Sequence, residues 1–303
     1  MTLARARRER PAACVQGVCT HGGRSRVHDG PMHRVSGRPQ VVAHRGSSLD
    51  EPEHTLAAYV SALDAGAEGL ECDVRLTADG HLVCVHDRRV DRTANGRGAV
   101  STMDLAQLDA LDFASWKNPW ADLDDEAPEV DEETRRVLTL RRLLEVARDY
   151  DRPVDLAIET KHPTRYGGLV ERRLVELLDA FGWGGAGSPA RVMSFSAVAL
   201  TRVRRLAPEL EVVLLLERPR SWQVATSMLA PGWIAGPSID LLRDTPTLAA
   251  RLQGRGRRVH GWVVNDTADL DLCTDLGVEA VMTDDPRRAM AHFSGPSSGP
   301  WSG

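Results

Sequence analysis

The chain has 303 residues, 42% of them hydrophobic and 27% charged, which is typical of a globular protein and suits a single barrel of about 250 residues. Its net charge is −5, but residues 1–40 carry +6, so the remainder carries −11 and lacks the basic face that nucleic acid would require of its main partner. Five scattered cysteines and no apolar run of signal-peptide or membrane-span length predict a reduced, cytoplasmic protein without stable membrane insertion.

The two ends of the chain have compositions that do not support a core. Residues 1–38 are rich in Arg, Gly, Ser and His and show no apolar period, which predicts a disordered segment. Met32 lies just before the first strand pattern, so the true start is Met1 or Met32. A Gly-, Ser- and Pro-rich end predicts a flexible tail over 293–303 and leaves 39–292 for the folded domain.

Between the ends, short apolar runs alternate with helical patterns. The predicted strands cover 41–44, 68–74, 81–86, 154–160, 191–195, 211–216, 233–235, 258–264 and 280–283. The strand at 81–86 follows Asp79-Gly80, a turn signal that predicts a hairpin. Helices are predicted at 55–65, 103–111, 139–150 and 169–181, with 87–137 forming a polar insertion that roofs the site.

This alternation predicts the fold class. Strand–helix repeats favour a parallel sheet, and about eight of them favour an α/β fold of the (β/α)₈ TIM-barrel type. An open, doubly wound sheet is the alternative. Because no Gly-x-Gly-x-x-Gly pattern follows the first strand, the nucleotide-binding form of that alternative is disfavoured.

Ionisable residues lie where the first two predicted strands end. His44 and Arg45 close the first strand, and Glu71 and Asp73 are two positions apart on the second. Since alternate strand residues face the same side, both carboxylates are expected in the barrel lumen and Cys72 outside it. The C-terminal ends of barrel strands carry the active site in this fold, so we expect these side chains to meet there.

The same spacing recurs later in the chain. Glu159 and Lys161 lie two apart on the strand over 154–160, and His86 ends the hairpin strand. Singly, each residue is commonly structural, and a Glu-x-Lys pair at a surface contributes under about 1 kcal/mol. Together they place several ionisable groups at one end of apolar strands. Carboxylates there repel one another and lose hydration unless a cation binds.

The residue types indicate the chemistry of such a cluster. Three carboxylates without cysteine or clustered histidine ligands favour a hard cation, Mg²⁺ or Ca²⁺. Histidines that do not bind metal are free to accept and donate protons near neutral pH. Arg45 and Lys161 match the oxygens of a phosphoryl group. The residues themselves therefore indicate a hard metal, two proton carriers and a cationic clamp.

Over residues 41–290 the chain resembles the glycerophosphodiester phosphodiesterase family. The resemblance is carried by spaced motifs, which are specific only in combination. They are His44-Arg45-Gly46, Pro52-Glu53-His54-Thr55, Glu71-Cys72-Asp73, His86-Asp87, Glu159-Thr160-Lys161, Gly261-Trp262-Val263-Val264-Asn265 and Thr283-Asp284-Asp285-Pro286.

The resemblance implies a TIM barrel that hydrolyses glycerophosphodiesters to glycerol 3-phosphate and an alcohol. It implies one divalent cation, Mg²⁺ or Ca²⁺ with Mn²⁺ as a further candidate, bound by Glu71, Asp73 and Glu159. It also implies that Arg45 and Lys161 contact the phosphate.

The resemblance assigns His44 and His86 as the acid/base pair. In such enzymes the substrate's own glycerol hydroxyl is thought to attack phosphorus, giving a cyclic phosphate that water opens. Glu53 is either a further residue of the metal site or a cap for the helix near Thr55. Trp262 walls the glycerol pocket or packs in the core.

Two positions depart from the family pattern. His54 stands where the family has Asn, which adds a third imidazole near the mouth of the barrel. Val263 stands where the family has Thr, and we expect its side chain to face away from the lumen.

Two other functions remain open from the sequence. One is a lysophospholipase D-type hydrolase acting on lysophospholipids, and the other is a catalytically silent barrel that binds phosphoesters. The expected partner is a small-molecule glycerophosphodiester, whose alcohol group the residues do not specify. The oligomeric state also remains open.

Overall fold

The computed structural model describes residues 37–118, 132–217, 227 and 229–295. The expectations for the N-terminal segment up to residue 36, for part of the insertion and for the tail beyond residue 295 lie outside these ranges. The last helix continues to Ser294, two residues into the segment assigned to the tail.

Eight parallel strands form the barrel, and the sequence-based (β/α)₈ prediction is confirmed. The strands of the described residues, including one outside the barrel, are β1 Gln40–His44, β2 Gly69–Leu76, β3 Leu82–Cys84, β4 Asp155–Thr160, β5 Ala190–Ser194, β6 Glu211–Leu216, β7 Ile234–Pro237, β8 His260–Gly261 and β9 Ala280–Thr283. The eight barrel strands lie in the order β7-β6-β5-β4-β2-β1-β9-β8. Two isolated parallel bridges, Ala235 to Val259 and Ser238 to Trp262, bring β7 and β8 together. The remaining strand, β3, pairs antiparallel with β2 as the expected hairpin.

Helices cover the outside of the barrel. They are α1 Leu56–Asp64, α2 Leu105–Asp109, α3 Glu132–Arg135, α4 Leu140–Asp149, α5 Leu169–Ala180, α6 Ala197–Leu206, α7 Ile239–Asp244, α8 Thr247–Gln253, α9 Thr267–Asp275 and α10 Pro286–Ser294. Side-chain oxygens of Thr55, Thr139, Ser196 and Ser238 accept hydrogen bonds from backbone N–H groups of the first turns of α1, α4, α6 and α7. These caps satisfy donors that a helix start leaves unpaired, and they set where each helix begins.

The core has two main layers that determine where polar groups can lie. The larger layer packs helices onto the outer face of the barrel and includes Cys72, as expected from strand alternation. The smaller one fills the lumen with Val42, Ala157, Met193, Val213, Leu215, Ile234, Ala280 and Met282. This apolar plug separates two polar layers of the lumen: Gln40, Asp155 and Arg191 lie at the N-terminal ends of the strands, and a second group lies at the C-terminal ends.

Two predicted elements differ from the structure. The helix expected over 103–111 is a 3₁₀ turn at Val100–Thr102 followed by the short helix α2, because Asp104 and Gln107 form a capping box that starts a new helix. The strand expected over 258–264 is reduced to the two residues of β8. Val263 therefore lies beyond the strand, where alternation no longer applies, and it lines the cleft at the mouth of the barrel. Its expected outward orientation is wrong.

Among the described helices, none has the length and apolar character needed to cross a membrane.

Candidate active site

Three buried carboxylates form the centre of the polar cluster at the mouth of the barrel. Glu71 and Asp73 project from β2, and Glu159 lies opposite Asp73 in the register of β2 with β4. One ligand oxygen from each of them lies within 4.8 Å of the others. All three side chains are buried. The sequence expectation that two strands bring these carboxylates together agrees with this geometry.

Cations offset part of the cost of burying this negative charge. The Nζ atom of Lys161 lies 2.9 Å from Oδ1 of Asp73 and 2.8 Å from Oε2 of Glu159. The Nε atom of Arg45 lies 3.1 Å from Oδ2 of Asp73. Oδ1 of Asp73 and Nε of Arg45 nevertheless lack a well-aligned hydrogen bond.

The pKa values of the three carboxyl groups are driven apart. Burial raises the pKa of Glu71 well above its usual range, and the charge of Asp73 adds to the effect. Burial and Asp73 likewise raise the pKa of Glu159 to about 8. Burial also acts to raise the pKa of Asp73, but Lys161 and His54 outweigh it and hold it well below its usual range. The three carboxyl groups therefore repel one another in a buried site, and a divalent cation bound between them would offset that repulsion.

His44, at the end of β1, is held by a carboxylate from the far end of the chain. Its Nδ1 lies 2.7 Å from Oδ1 of Asp284. Asn265 donates from Nδ2 to the other oxygen of Asp284 at 2.8 Å, and the Asp284 backbone N–H donates to the Asn265 side chain at 2.9 Å. An Nδ1–H to carboxylate bond leaves Nε2 of His44 facing the site, 4.0 Å from Glu71.

His86 has the same arrangement on the hairpin side of the barrel. Its Nδ1 lies 2.7 Å from Oδ1 of Asp87, and Arg92 donates from Nε to Oδ2 of Asp87 at 2.6 Å. Burial lowers the pKa of His86 to about 4, an effect that Asp73 and Asp87 counter only in part. The Asp87 pKa falls to about 2, because the hydrogen bonds from Arg92 and His86 outweigh its partial burial.

Glu53 links Arg92 to Arg45. Its carboxylate accepts from Arg92 at 2.7 and 2.8 Å and from Nη1 of Arg45 at 3.2 Å. The α1 cap is Thr55, so the helix-capping role considered for Glu53 belongs to its neighbour. Arg45 has a positive φ of 59°, and its N–H donates to Glu71 Oε2 at 3.0 Å. The chain turns sharply at Arg45, and this turn places both its guanidinium group and its backbone N–H against the carboxylate cluster.

His54, the departure from the family motif, lies directly behind a candidate metal ligand. Its Nε2 is 2.9 Å from Oδ2 of Asp73, and its Nδ1 is 2.8 Å from the Tyr59 hydroxyl. The ring is buried, and the residue has φ 63°. The imidazole therefore holds Asp73 in place through a hydrogen bond and takes no part in the open cleft.

The cleft above these groups has a polar and an aromatic side and a volume of about 280 Å³. His44, His86 and the carboxylates Glu71 and Glu159 line the polar side. Phe195 and Trp262 meet edge to face across the other side, with ring centres 5.4 Å apart. Trp262 also donates from Nε1 to the carbonyl of Gly236 at 2.6 Å, which fixes the wall.

Every site residue chosen from the sequence lies at this mouth, but several supporting residues were given no role. Asp87, Asp284 and Asn265 appeared only as letters of motifs, and Arg92 was not singled out. The signal available for them was adjacency, since Asp87 follows His86 and Asp284 closes the last strand. Nothing in the pattern indicated that Asp284 pairs with a histidine 240 positions away.

Known proteins share this architecture. The chain is similar to a phosphodiesterase of Oleispira antarctica solved in complex with sn-glycerol-3-phosphate, with a TM-score of 0.71, 27% identity and coverage of 85% of this chain and 97% of that one. A structure from Silicibacter pomeroyi has a TM-score of 0.72 at 24% identity, covering 86% and 94%, and supports the fold. Fold and site together define a TIM-barrel enzyme of phosphate-ester chemistry.

Sequence comparison gives the family. A model described as the glycerophosphoryl diester phosphodiesterase family matches residues 44–288. The chain is 47% identical over 261 residues to a Mycobacterium tuberculosis protein named probable glycerophosphodiester phosphodiesterase 1, covering 85% of this chain and 93% of that one. It is 34% identical over 254 residues to a glycerophosphodiester phosphodiesterase of Bacillus subtilis, covering 81% and 83%. The chain belongs to this family and is a phosphoric diester hydrolase, as the motifs indicated.

Proposed function

We propose that this protein hydrolyses glycerophosphodiesters to glycerol 3-phosphate and an alcohol, using one divalent cation and two histidines. The observation that carries the proposal is the placement of two Asp-bound histidines around one cleft whose floor is a cluster of three carboxylates. A phosphodiester carries one negative charge and two ester oxygens, so it needs neutralisation and two proton transfers. The cleft offers both.

The carboxylates Glu71, Asp73 and Glu159 are the residues that would hold the cation. Oxygen-only ligands suit Mg²⁺ or Ca²⁺, with Mn²⁺ as a further candidate. When bound, such a cation withdraws charge from a phosphoryl oxygen and lowers the barrier to attack at phosphorus. Arg45 and Lys161, already in contact with Asp73, would bind the remaining phosphoryl oxygens once the cation takes over the carboxylates.

His44 and His86 divide the proton transfers between them. In the first step, one imidazole Nε2 takes the proton from a glycerol hydroxyl as its oxygen bonds to phosphorus. The other imidazolium donates a proton to the leaving alcohol oxygen as its bond to phosphorus breaks. The roles reverse when water opens the cyclic phosphate, which restores both histidines. Their aspartate partners hold the Nδ1–H form and leave Nε2 for this chemistry.

The aromatic wall would receive the carbon skeleton of the glycerol. Phe195 is 47% exposed at the mouth, more than packing would leave a phenyl ring, and Trp262 supports its edge. Binding of the glycerol C–H face against these rings would aim its hydroxyl groups toward the polar side of the cleft.

A substrate and metal panel tests the proposal. Purified protein is treated with chelator, then assayed with glycerophosphocholine and with lysophosphatidylcholine in Mg²⁺, Ca²⁺ or Mn²⁺, and glycerol 3-phosphate release is measured. We expect metal-dependent turnover of the soluble diester. Turnover confined to the lysolipid would support the lysophospholipase D-type alternative and overturn the proposal.

Histidine variants separate a catalyst from a silent binding barrel. His44→Ala and His86→Ala should each reduce kcat by about 10²-fold or more, while substrate binding measured by calorimetry persists. The exposed His81 lies outside the cleft and supplies the matched control, His81→Ala, with unchanged kcat. Binding without turnover in the parent protein would favour the silent barrel.

A further inference from the structure

A second, smaller cleft lies beside the candidate active site. It is formed between the end of β2, the insertion and the loop that follows β4, and its volume is about 30 Å³. Lys161 lines both this cleft and the active-site cleft. The Tyr166 hydroxyl donates to the carbonyl of Ser101 at 3.0 Å and ties the two walls together. We call this space the lateral cleft.

The lateral cleft is lined by four cations. They are Arg75, Arg88, Lys161 and Arg165. Among the described residues, no carboxylate lies within 4.0 Å of the three arginines. The nearby acid Asp87 is bound to His86 and Arg92, as described above. Lys161 is paired with Asp73 and Glu159, so the positive charge of the lining that has no carboxylate in contact is that of the three arginines.

The position of Arg75 makes the positive charge of the lining energetically unfavourable. It is the residue above Asp73 on the same face of β2, and it donates from Nε and Nη2 to the carbonyl of His86 at 3.0 and 2.6 Å. A half-buried arginine beside another arginine, with only a neutral carbonyl as acceptor, is stabilised when an anion enters the cleft.

An uncharged donor lies at the same cleft. Thr164 is part of its lining, and the buried Oγ1 atom of Thr164 has no hydrogen-bond partner among the described residues. An unpaired hydroxyl can donate to an anion.

We propose that the lateral cleft is a phosphate subsite for the leaving alcohol of the diester. The inference rests on the proposed function, because Lys161 would contact the scissile phosphate in the active-site cleft and also form one wall of the subsite. The cleft is small and its lining is cationic, so a compact anion such as a phosphate group is the ligand class that it favours. The favoured substrate class is therefore a glycerophosphodiester whose alcohol bears a second phosphate.

A matched pair of substrates tests the subsite. Glycerophosphoinositol 4-phosphate and glycerophosphoinositol differ by one phosphate, and kcat/KM is measured for both at fixed ionic strength and metal concentration. We expect the phosphorylated diester to be preferred about tenfold or more, the size of one charge-assisted contact. Arg88→Gln and Arg165→Gln, both at exposed positions, should remove most of that preference and leave glycerophosphoinositol turnover unchanged.

Arg89→Gln is the matched control, since it removes one positive charge from the same loop but lies outside the cleft, paired with Asp91. It should keep the preference. The absence of a preference in the parent protein, or its survival in the Arg88→Gln, Arg165→Gln double variant, would overturn the subsite. Arg88-dependent inhibition by inorganic phosphate without a substrate preference would mean that the cleft holds a free ion, and would also overturn it. If the parent protein does not hydrolyse glycerophosphoinositol at all, that result would instead count against the proposed function.

Discussion

The two candidate catalytic histidines lie on different elements, yet each is bound through Nδ1 to an aspartate. For His44 the partner is Asp284, which is itself held by Asn265. For His86 the partner is the next residue, Asp87, which is held by Arg92. Both imidazoles are therefore oriented by a carboxylate whose own position is set by a further hydrogen bond. This is the arrangement that proton transfer in a fixed direction requires.

Asp284→Asn should lower kcat by about tenfold or more, because the amide cannot stabilise the imidazolium form of His44 as the carboxylate does. We expect KM to change by less than about threefold, since Asp284 is bound to His44 and is not among the residues that line the cleft. Steady-state kinetics on a cleaved diester measure both. The control is Asp285→Asn, because Asp285 caps α10 and Asn is also a good cap. Equal kcat in the two variants would contradict an orienting role for Asp284.

His54 allows a test of the metal site that does not depend on turnover. His54→Ala removes the donor to Asp73 and should weaken divalent-cation binding about 10- to 100-fold. His54→Asn should recover much of the affinity, since an amide also donates to the carboxylate and Asn tolerates the positive φ at this position. Calorimetric titration of metal-free protein measures the dissociation constants. If all three proteins bind the cation equally, His54 does not position Asp73.

At the scale of elements, the loop between β1 and α1 is the most constrained part of the site. It carries Arg45 and His54, both with positive φ, and it presses against the first turn of α1. The Ser47 N–H donates to the carbonyl of Ala58 at 2.9 Å, and His54 N–H donates to the carbonyl of Arg45 at 3.1 Å. The approach of loop to helix is possible because residue 46 has no side chain.

Gly46→Ala should destabilise the protein by about 3 kcal/mol or more. The residue has φ 86°, and a Cβ there would lie 2.6 Å from the backbone carbon of Ala58. Gly182→Ala is the matched control, because φ is 74° but nothing lies within 4 Å of the added atom, and it should cost about 1–2 kcal/mol. Urea unfolding of both variants measures the difference. Equal midpoints would show that the loop moves away from α1 without cost.

At the scale of the whole molecule, the carboxylate cluster couples folding to pH and metal. The raised pKa of Glu159, about 8 against an ordinary value of 4.5, means that the metal-free folded state holds a proton that the unfolded chain releases. Stability from this group is therefore present at low pH and falls as pH rises from about 4.5 to about 8. The cation reverses the trend because it binds the deprotonated cluster more tightly.

We expect metal-free protein to have a lower Tm than Glu159→Gln at pH 8, with the difference smaller at pH 5. Cation at 100 times its Kd should stabilise the parent protein by about 2.7 kcal/mol, a rise of roughly 5 °C, and should stabilise Glu159→Gln much less. Differential scanning calorimetry at both pH values measures these shifts. A Tm difference between the two proteins that does not change with pH would show that Glu159 does not titrate in this range.

Strand and helix periodicity, together with the residues at strand ends, were enough to predict the barrel and to bring the candidate site residues to its mouth. That information is local, because alternation on one strand decides whether Glu71, Cys72 or Asp73 faces the lumen. Closure of the barrel then brings the C-terminal ends of the strands together at one mouth, independently of the loop conformations. Where a strand stopped early, as before Val263, the same reasoning failed.

Only the tertiary structure decided which groups support those residues. The pairing of His44 with Asp284, the hydrogen bond from His54 to Asp73 and the cations around the lateral cleft join segments tens to hundreds of positions apart. These contacts depend on loop conformations, and loops are held by side chains packed from elsewhere in the chain, so no periodic pattern encodes them. The residues expected to act on the scissile phosphate can therefore be predicted from the strand sequences. The residues that surround the alcohol group depend on how the loops fold.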